Sequence, residues 1–169
     1  MGFVSYNSFM ETDYTRTLFT YDDWANSGQL DGLDGTASPD ALRAMGHLLA
    51  AREIWLLRVR GEPVRDLTFF RDLDYTGCLA LHARVCADWR AWLNTLTPRM
   101  LDEEVTFNDS LGNPYTLKRR VMLAHVLLHS AHHRGQVAMA QRQAGRKPTD
   151  LDLYLSPLVQ AKRRGPDEA

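Results

Sequence analysis

Cysteine is scarce in this chain: Cys78 and Cys86 are all it has. On one helix the two would sit about 12 Å apart, too far to bridge. That excludes a disulfide-stapled secreted scaffold and makes both thiols small core residues suited to a reducing compartment. An excess of charge of either sign is lacking as well. With a formal net charge of -1 the long-range field is weak, so neither a nucleic acid nor an anionic membrane is an expected partner. Long apolar runs are also missing. None approaches the roughly 20 residues that span a bilayer, and Glu11 and Asp13 stand where a signal peptide would be apolar. A cytoplasmic protein is expected. Internal repeats and low-complexity tracts are absent too.

What is present suits one globular domain over residues 1–169, with a loose polar tail from about residue 159. The chain is 44% hydrophobic and 24% charged, unlike the polar, highly charged profile of disorder. Three basic clusters, Lys118-Arg119-Arg120, Arg142 with Arg146-Lys147, and Lys162-Arg163-Arg164, are short and balanced by acids, and read as solvated surface.

Helix punctuation predicts an all-α protein. Ser8 with Glu11 forms a capping box for a first helix running to about Leu30, with Phe9, Met10, Tyr14, Leu18, Tyr21, Trp24 and Ala25 at helical spacing. Ser38-Pro39 starts a second helix that Gly61 and Pro63 stop. A third, from Asp74 to about Leu96, carries Leu79, Val85, Trp89, Trp92 and Leu93 and ends before Pro98. Glu104–Phe107 and Leu111–Tyr115 read as a small hairpin. Thr116 is the expected cap of a long fourth helix closed by Gly145 and Pro148, and the segment 150–158 is expected to dock on the bundle.

The chemistry concentrates in histidines. His129 and His133, four apart on the fourth helix, project from one face and offer two imidazoles to one ion. They share a direction with Met122, Val126, Val137 and Ala140, so the pair is expected to face inward. His47 shares its stripe with Ala44, Ala51 and Ile54 and supplies a third imidazole. Three protein ligands with a position left for water or substrate is the pattern of a catalytic zinc-type site, and neutral imidazole suits zinc, nickel, iron or copper. His125 continues the ladder either as a fourth ligand or as a group orienting His129. His132 points about 100° away from His133, and with His82 reads as structural. Ser130 follows the first histidine where a zincin needs Glu, and no Cys-x-x-Cys pair exists, so peptidase and deaminase chemistry are excluded.

The string His129-Ser130-Ala131-His132-His133-Arg134-Gly135-Gln136, followed by Gly145, Pro148, Asp150 and Tyr154, resembles the signature of the DinB-like (YfiT-like) superfamily of metal-dependent enzymes. Trp24-Ala25-Asn26 is similar to that family's WAN motif. The resemblance implies a four-helix bundle with up-down-down-up connection, usually a homodimer. It also implies a divalent metal, zinc or nickel first and iron or manganese next, on His47, His129 and His133. Family members of known activity are mostly transferases or isomerases that use a low-molecular-weight thiol, and others are described as hydrolases. The expected function is therefore activation of a water or thiol toward a small-molecule substrate, the alternative being a non-enzymatic metal-binding stress-response protein. Trp24, Asn26, Arg134 and Gln136 are candidates for the pocket or for bundle packing. Asp22, Asp23 and Glu53 are carboxylates to which no role as a base is assigned. Leu123, Leu127 and Ala138, opposite His129, are the residues expected to be covered by a second copy.

Overall fold

A computed structural model of the chain describes residues 6–159, and side chains from residue 11 onward. Five α-helices and one hairpin follow in order: α1 (Tyr6–Asp31), α2 (Pro39–Arg60), α3 (Tyr75–Thr95), a short α4 (Pro98–Asp102), β1 (Glu104–Asn108), β2 (Pro114–Lys118) and α5 (Arg119–Gln143). A 3-10 turn at Leu153–Leu155 closes the described chain.

The caps explain the boundaries. Ser38 accepts from the Ala41 N–H at the start of α2, and Gly61, at φ 75°, closes it in the left-handed region that side-chain-bearing residues avoid. Asp74 caps α3 by accepting from the Gly77 N–H. A side chain at Gly77 would press on that same carboxylate, 3.2 Å away, so this glycine makes room for the cap. Pro98 ends α3 as expected but also begins α4, whose cap is Thr97.

Two boundary expectations and one surface expectation are corrected. Helix α1 is already running at Ser8, because no breaker separates Tyr6 from Ser8; the Ser8 side chain lies outside the described residues. Thr116 does not cap α5. It pairs with Thr106 in the antiparallel hairpin, hydroxyl to hydroxyl at 2.9 Å, and α5 begins at Arg119 with no side-chain cap. Arg119 is not solvated surface but 9% exposed, ion-paired with Glu103 and donating to the carbonyls of Val59 and Met100. Arg120 reaches Glu11 and Asp102, and Arg146 pairs with Asp34. Lys162-Arg163-Arg164 lies outside the described residues.

Cross-helix pairings fix the topology. Asp22 meets Arg134 and Gln29 meets Gln141, so α1 and α5 run parallel. Trp55 meets His125 while His47 meets His133, so α2 opposes α5. Phe19 packs on Trp89 and Arg16 on the Leu93 carbonyl, so α3 opposes α1 and runs with α2. The bundle is up-down-down-up. Two consecutive parallel helices require a connection that travels the length of the bundle. Segment 61–74 does this, with a reach of about 46 Å when extended against a helix of about 33 Å.

The core is apolar between the helices, with Met45, Leu48, Leu49, Val59, Val85, Trp89, Met122, Val126 and Val137 almost fully buried. Cys78 and Cys86 are buried and free, and Leu79 is 38% exposed. The inward face of α1 is instead largely polar, with Thr12, Asp22, Asn26 and Gln29 buried and Tyr14 63% exposed. The expected stripe through Tyr14 and Leu18 is therefore rotated, since apolar periodicity is blind to a polar face. Leu123 is 2% exposed and Leu127 packs on the same core, so the chain itself covers these two of the residues expected to need a partner, while Ala138 is half-buried. The segment after α5 touches the bundle through Leu151, whose carbonyl accepts from Tyr21, and through Ser156, which is 2% exposed, whereas Leu153, Tyr154 and Leu155 are exposed. No helix among the described residues is long and apolar enough to cross a membrane.

Candidate metal centre

Helices α2 and α5 cross where the crossover segment passes over them, and there His47, His129 and His133 meet. One ring nitrogen from each lies within 4.8 Å of the other two. The Nε2 atoms of His129 and His133 are 3.2 Å apart, close to the spacing of about 3.3 Å that two nitrogens take on a tetrahedral ion with bonds near 2.0–2.1 Å. The His47 ring sits 4.4 Å from His133 and 5.4 Å from His129, centroid to centroid.

Hydrogen bonds set the tautomers. His47 Nδ1 lies 3.0 Å from the Phe69 carbonyl, which can only accept, so Nδ1 carries the proton and the Nε2 lone pair is bare. His133 Nδ1 lies 2.7 Å from Gln136 Oε1 and is held the same way. The Gln136 amide nitrogen in turn faces His132 Nε2 at 3.1 Å. Imidazoles that donate through one nitrogen to a carbonyl are the usual arrangement around a bound metal.

The electrostatics favour neutral rings. Burial, then the neighbouring imidazoles of His133 and His47, pull the His129 pKa down to about 4. Burial lowers His133 as well, against the opposing bond to Gln136. Neutral imidazoles are the ligand form. All three rings are half-buried rather than sunk in the core. The inward stripe of α5 runs through Met122, Val126, Ser130, Arg134 and Val137, and the pair flanks it. The site faces outward beside Phe70, which is 71% exposed and stacks on His47 at 4.5 Å.

The remaining candidates separate. Gln136 belongs with the imidazoles, as the partner of His133. His125 rests on Trp55 at 4.4 Å, one turn before His129, its pKa lowered by burial and then by Arg58. Arg134 and Asn26 are buried elsewhere: Arg134 ion-pairs with Asp22, donates to Asn26 Oδ1 at 2.9 Å and lies over the Tyr21 ring. Asp22 and Asp23 also hold Arg52, at 3.2 and 2.7 Å. This network ties α1 to α2 and α5, and none of these contacts among the described residues involves the three histidines. Burial opposes the Arg52 charge, but the two aspartates hold its pKa above the ordinary arginine value. Glu53 is engaged by Arg71 and Arg84. Trp24 packs beside Tyr21, ring centroids 6.0 Å apart. His82 lies against the Cys86 thiol at 3.4 Å, and burial lowers its pKa.

Sequence reasoning missed the crossover's contribution: the Phe69 carbonyl on His47, the Phe70 stack, and a cavity of about 720 Å³ that Phe69 and Phe70 share with Arg58 and the hairpin. The signal available was the adjacent Phe69-Phe70 pair in a stretch with Gly61, Pro63 and no helical punctuation.

Fold and site together define a class: a four-helix bundle that gathers three histidines from its second and last helices at a solvent-facing crossing. The chain belongs to the DinB family, whose model matches residues 22–164. A crystal structure of a DinB-like protein from Bacillus cereus is similar in fold, with TM-score 0.60 and 20% identity over 78% of this chain and 91% of that one. No curated protein matches the chain.

Proposed function

We propose that this chain is a metal-dependent enzyme in which His47, His129 and His133 hold one divalent ion, zinc or nickel before iron or manganese. The observation that carries the reading is the convergence of three imidazole nitrogens, two of the rings being held by carbonyl acceptors in the tautomer that leaves Nε2 bare. When bound, the ion supplies Lewis acidity that lowers the pKa of a water or thiol at the position the protein leaves free. The chain's residues do the rest. Phe69 and Gln136 orient the ligands, and Phe70 covers one side of His47 and limits water.

Two chemistries share this site, hydrolysis and thiol-dependent transfer. The chain offers no thiol of its own: burial pushes Cys86 up to about 12 and Cys78 to about 11, so a reacting thiol comes from a low-molecular-weight co-substrate. Turnover of a panel of small electrophiles with and without bacillithiol, mycothiol or glutathione separates the two. A rate that depends on added thiol assigns transfer, and an unchanged rate assigns hydrolysis. No turnover, with slow exchange of solvent at the metal, assigns the non-enzymatic metal-binding reading instead.

We also infer a cytoplasmic homodimer. Val121, Leu128 and Met139, on α5, are 48%, 72% and 54% exposed and fall within about 20° of one direction around the helix. Sedimentation at micromolar concentration giving a dimer that Leu128→Glu dissociates is the expected outcome. A parent that sediments as a monomer refutes it.

A further inference from the structure

Four arginines are buried among the described residues: Arg52, Arg58, Arg119 and Arg134. Three are matched by carboxylates, Arg52 by Asp22 and Asp23, Arg119 by Glu103, and Arg134 by Asp22. Arg58 is not. It is 6% exposed and has no carboxylate at ion-pair distance among the described residues. Its guanidinium donates one hydrogen bond, to the Asn108 carbonyl at 2.9 Å, while Nε is buried with no partner. A buried charge left in this state is costly, and a bound anion is what removes the cost.

The surroundings are those of a ligand seat. Arg58 lies over the rings of Trp55 and Phe107, both 4.9 Å away, and of Phe69 at 5.3 Å. It lines the cavity of about 720 Å³ under the crossover, a volume within the range of small-molecule sites. Phe69 and Phe70 line that cavity and also touch His47, so these two rings are what separates it from the histidine site, none of whose imidazoles lines it. Along α2, His47 and Arg58 lie eleven positions apart. Three helical turns return them to one face within about 20°, and with the arginine leaning back toward the helix start its head sits on the order of 10 Å from the His47 ring.

We propose that Arg58 is a specificity-determining residue that binds the carboxylate of a substrate with a flat apolar body, whose other end is presented to the histidines. Naming this cavity as the substrate's seat rests on the histidine site being the reaction centre. The guanidinium fork suits a planar carboxylate, which can accept from it side-on. The rim selects a single negative charge over two, because Glu62 and Asp109 also line the cavity. Asp109 acts on Arg58 only from beyond ion-pair distance, its oxygens accepting from the Leu111 and Asn113 amides and the Asn113 side chain. Burial lowers the Arg58 pKa from its ordinary value, with Asp109 opposing, the direction that a bound anion reverses.

The test is a calorimetric titration of 2-naphthoate, 2-naphthamide and 2-naphthyl phosphate into the full chain, as purified and after metal removal by chelation. Naphthoate binding about tenfold or more tighter than the amide, as a charged hydrogen bond supplies, is expected in both preparations. Arg58→Gln brings naphthoate to the level of the amide, Arg58→Lys keeps part of the preference, and His133→Ala leaves it unchanged. Equal binding of acid and amide, no binding of either at millimolar concentration, a preference that survives Arg58→Gln, or one lost only in His133→Ala overturns the proposal. Phosphate binding tighter than naphthoate overturns the assignment to a carboxylate. A chain that binds no metal yet keeps the preference retains the anion seat while the metal reading falls, so the two failures are distinguishable.

Discussion

Arg134 follows directly after a candidate ligand, yet it faces Asp22 and Asn26 rather than the imidazoles. Replacing it with Met preserves much of its volume and removes its charge. Asp22, 1% exposed, would keep Arg52 at 3.2 Å and the Asn26 amide at 3.2 Å, while Asn26 Oδ1 would lose its donor. Breaking one arm of a buried ion pair costs about 3–5 kcal/mol, and the surviving Arg52 places this change at the low end, about 3 kcal/mol. For a domain of this size each kcal/mol moves Tm by about 2–4 °C, so a drop of about 6–12 °C is expected in a thermal melt. The double variant Asp22→Asn with Arg134→Met should recover part of that loss, because it leaves Arg52 matched by Asp23 alone instead of by two carboxylates. Metal bound per folded molecule should not change. A loss below about 1 kcal/mol, the level of an exposed pair, or an unchanged Tm with lost activity, would refute the structural role and return Arg134 to the substrate.

Gln136→Ala should free His133 Nδ1 and weaken metal binding by about 10–100-fold without lowering Tm of the metal-free chain. A competitive chelator titration reads it, and an unchanged affinity would remove Gln136 as a positioning residue. The buried thiols predict an alkaline limb: with folded values near 12 for Cys86 and 11 for Cys78 against an ordinary 9.0, the unfolded chain loses its thiol protons first. Stability attributable to them is therefore full below about pH 9 and falls as pH rises toward 12. Cys86→Ala should flatten that fall in melts across pH 8–11, and alkylation by iodoacetamide at pH 8 should require unfolding; rapid labelling of the native chain would contradict the burial.

The sequence made α2 and α3 legible because their ends are written in local chemistry, Ser38-Pro39, Gly61 and Asp74, and local chemistry does not depend on the rest of the fold. The hairpin was legible from its alternation and the Gly112-Asn113-Pro114 turn. Thr116 misled because a threonine before an apolar helix caps it or pairs in a strand, and the Thr106 partner that decides between them is ten residues away. The face of α1 was misread because its buried positions hold Asp22, Asn26 and Gln29, a polar stripe that answers to Arg134 and Gln141 on α5. The same limit governs the candidate site. A spacing of four on one helix announced His129 with His133, and a stripe of small residues placed His47. The Phe69 carbonyl, the Phe70 stack and the unmatched Arg58 all depend on where the crossover lies, which is a consequence of topology rather than of any local pattern.

Three imidazoles on α2 and α5 that share one cation would hold it in fixed proportion to the chain, and elemental analysis reads that proportion. The chain purified without chelator should carry a stoichiometric divalent metal, and both His47→Ala and His133→Ala should lose it while keeping their helical circular dichroism. A parent that takes up neither zinc nor nickel when supplied, or folded variants that both retain the full complement, would rule out a three-histidine metal site.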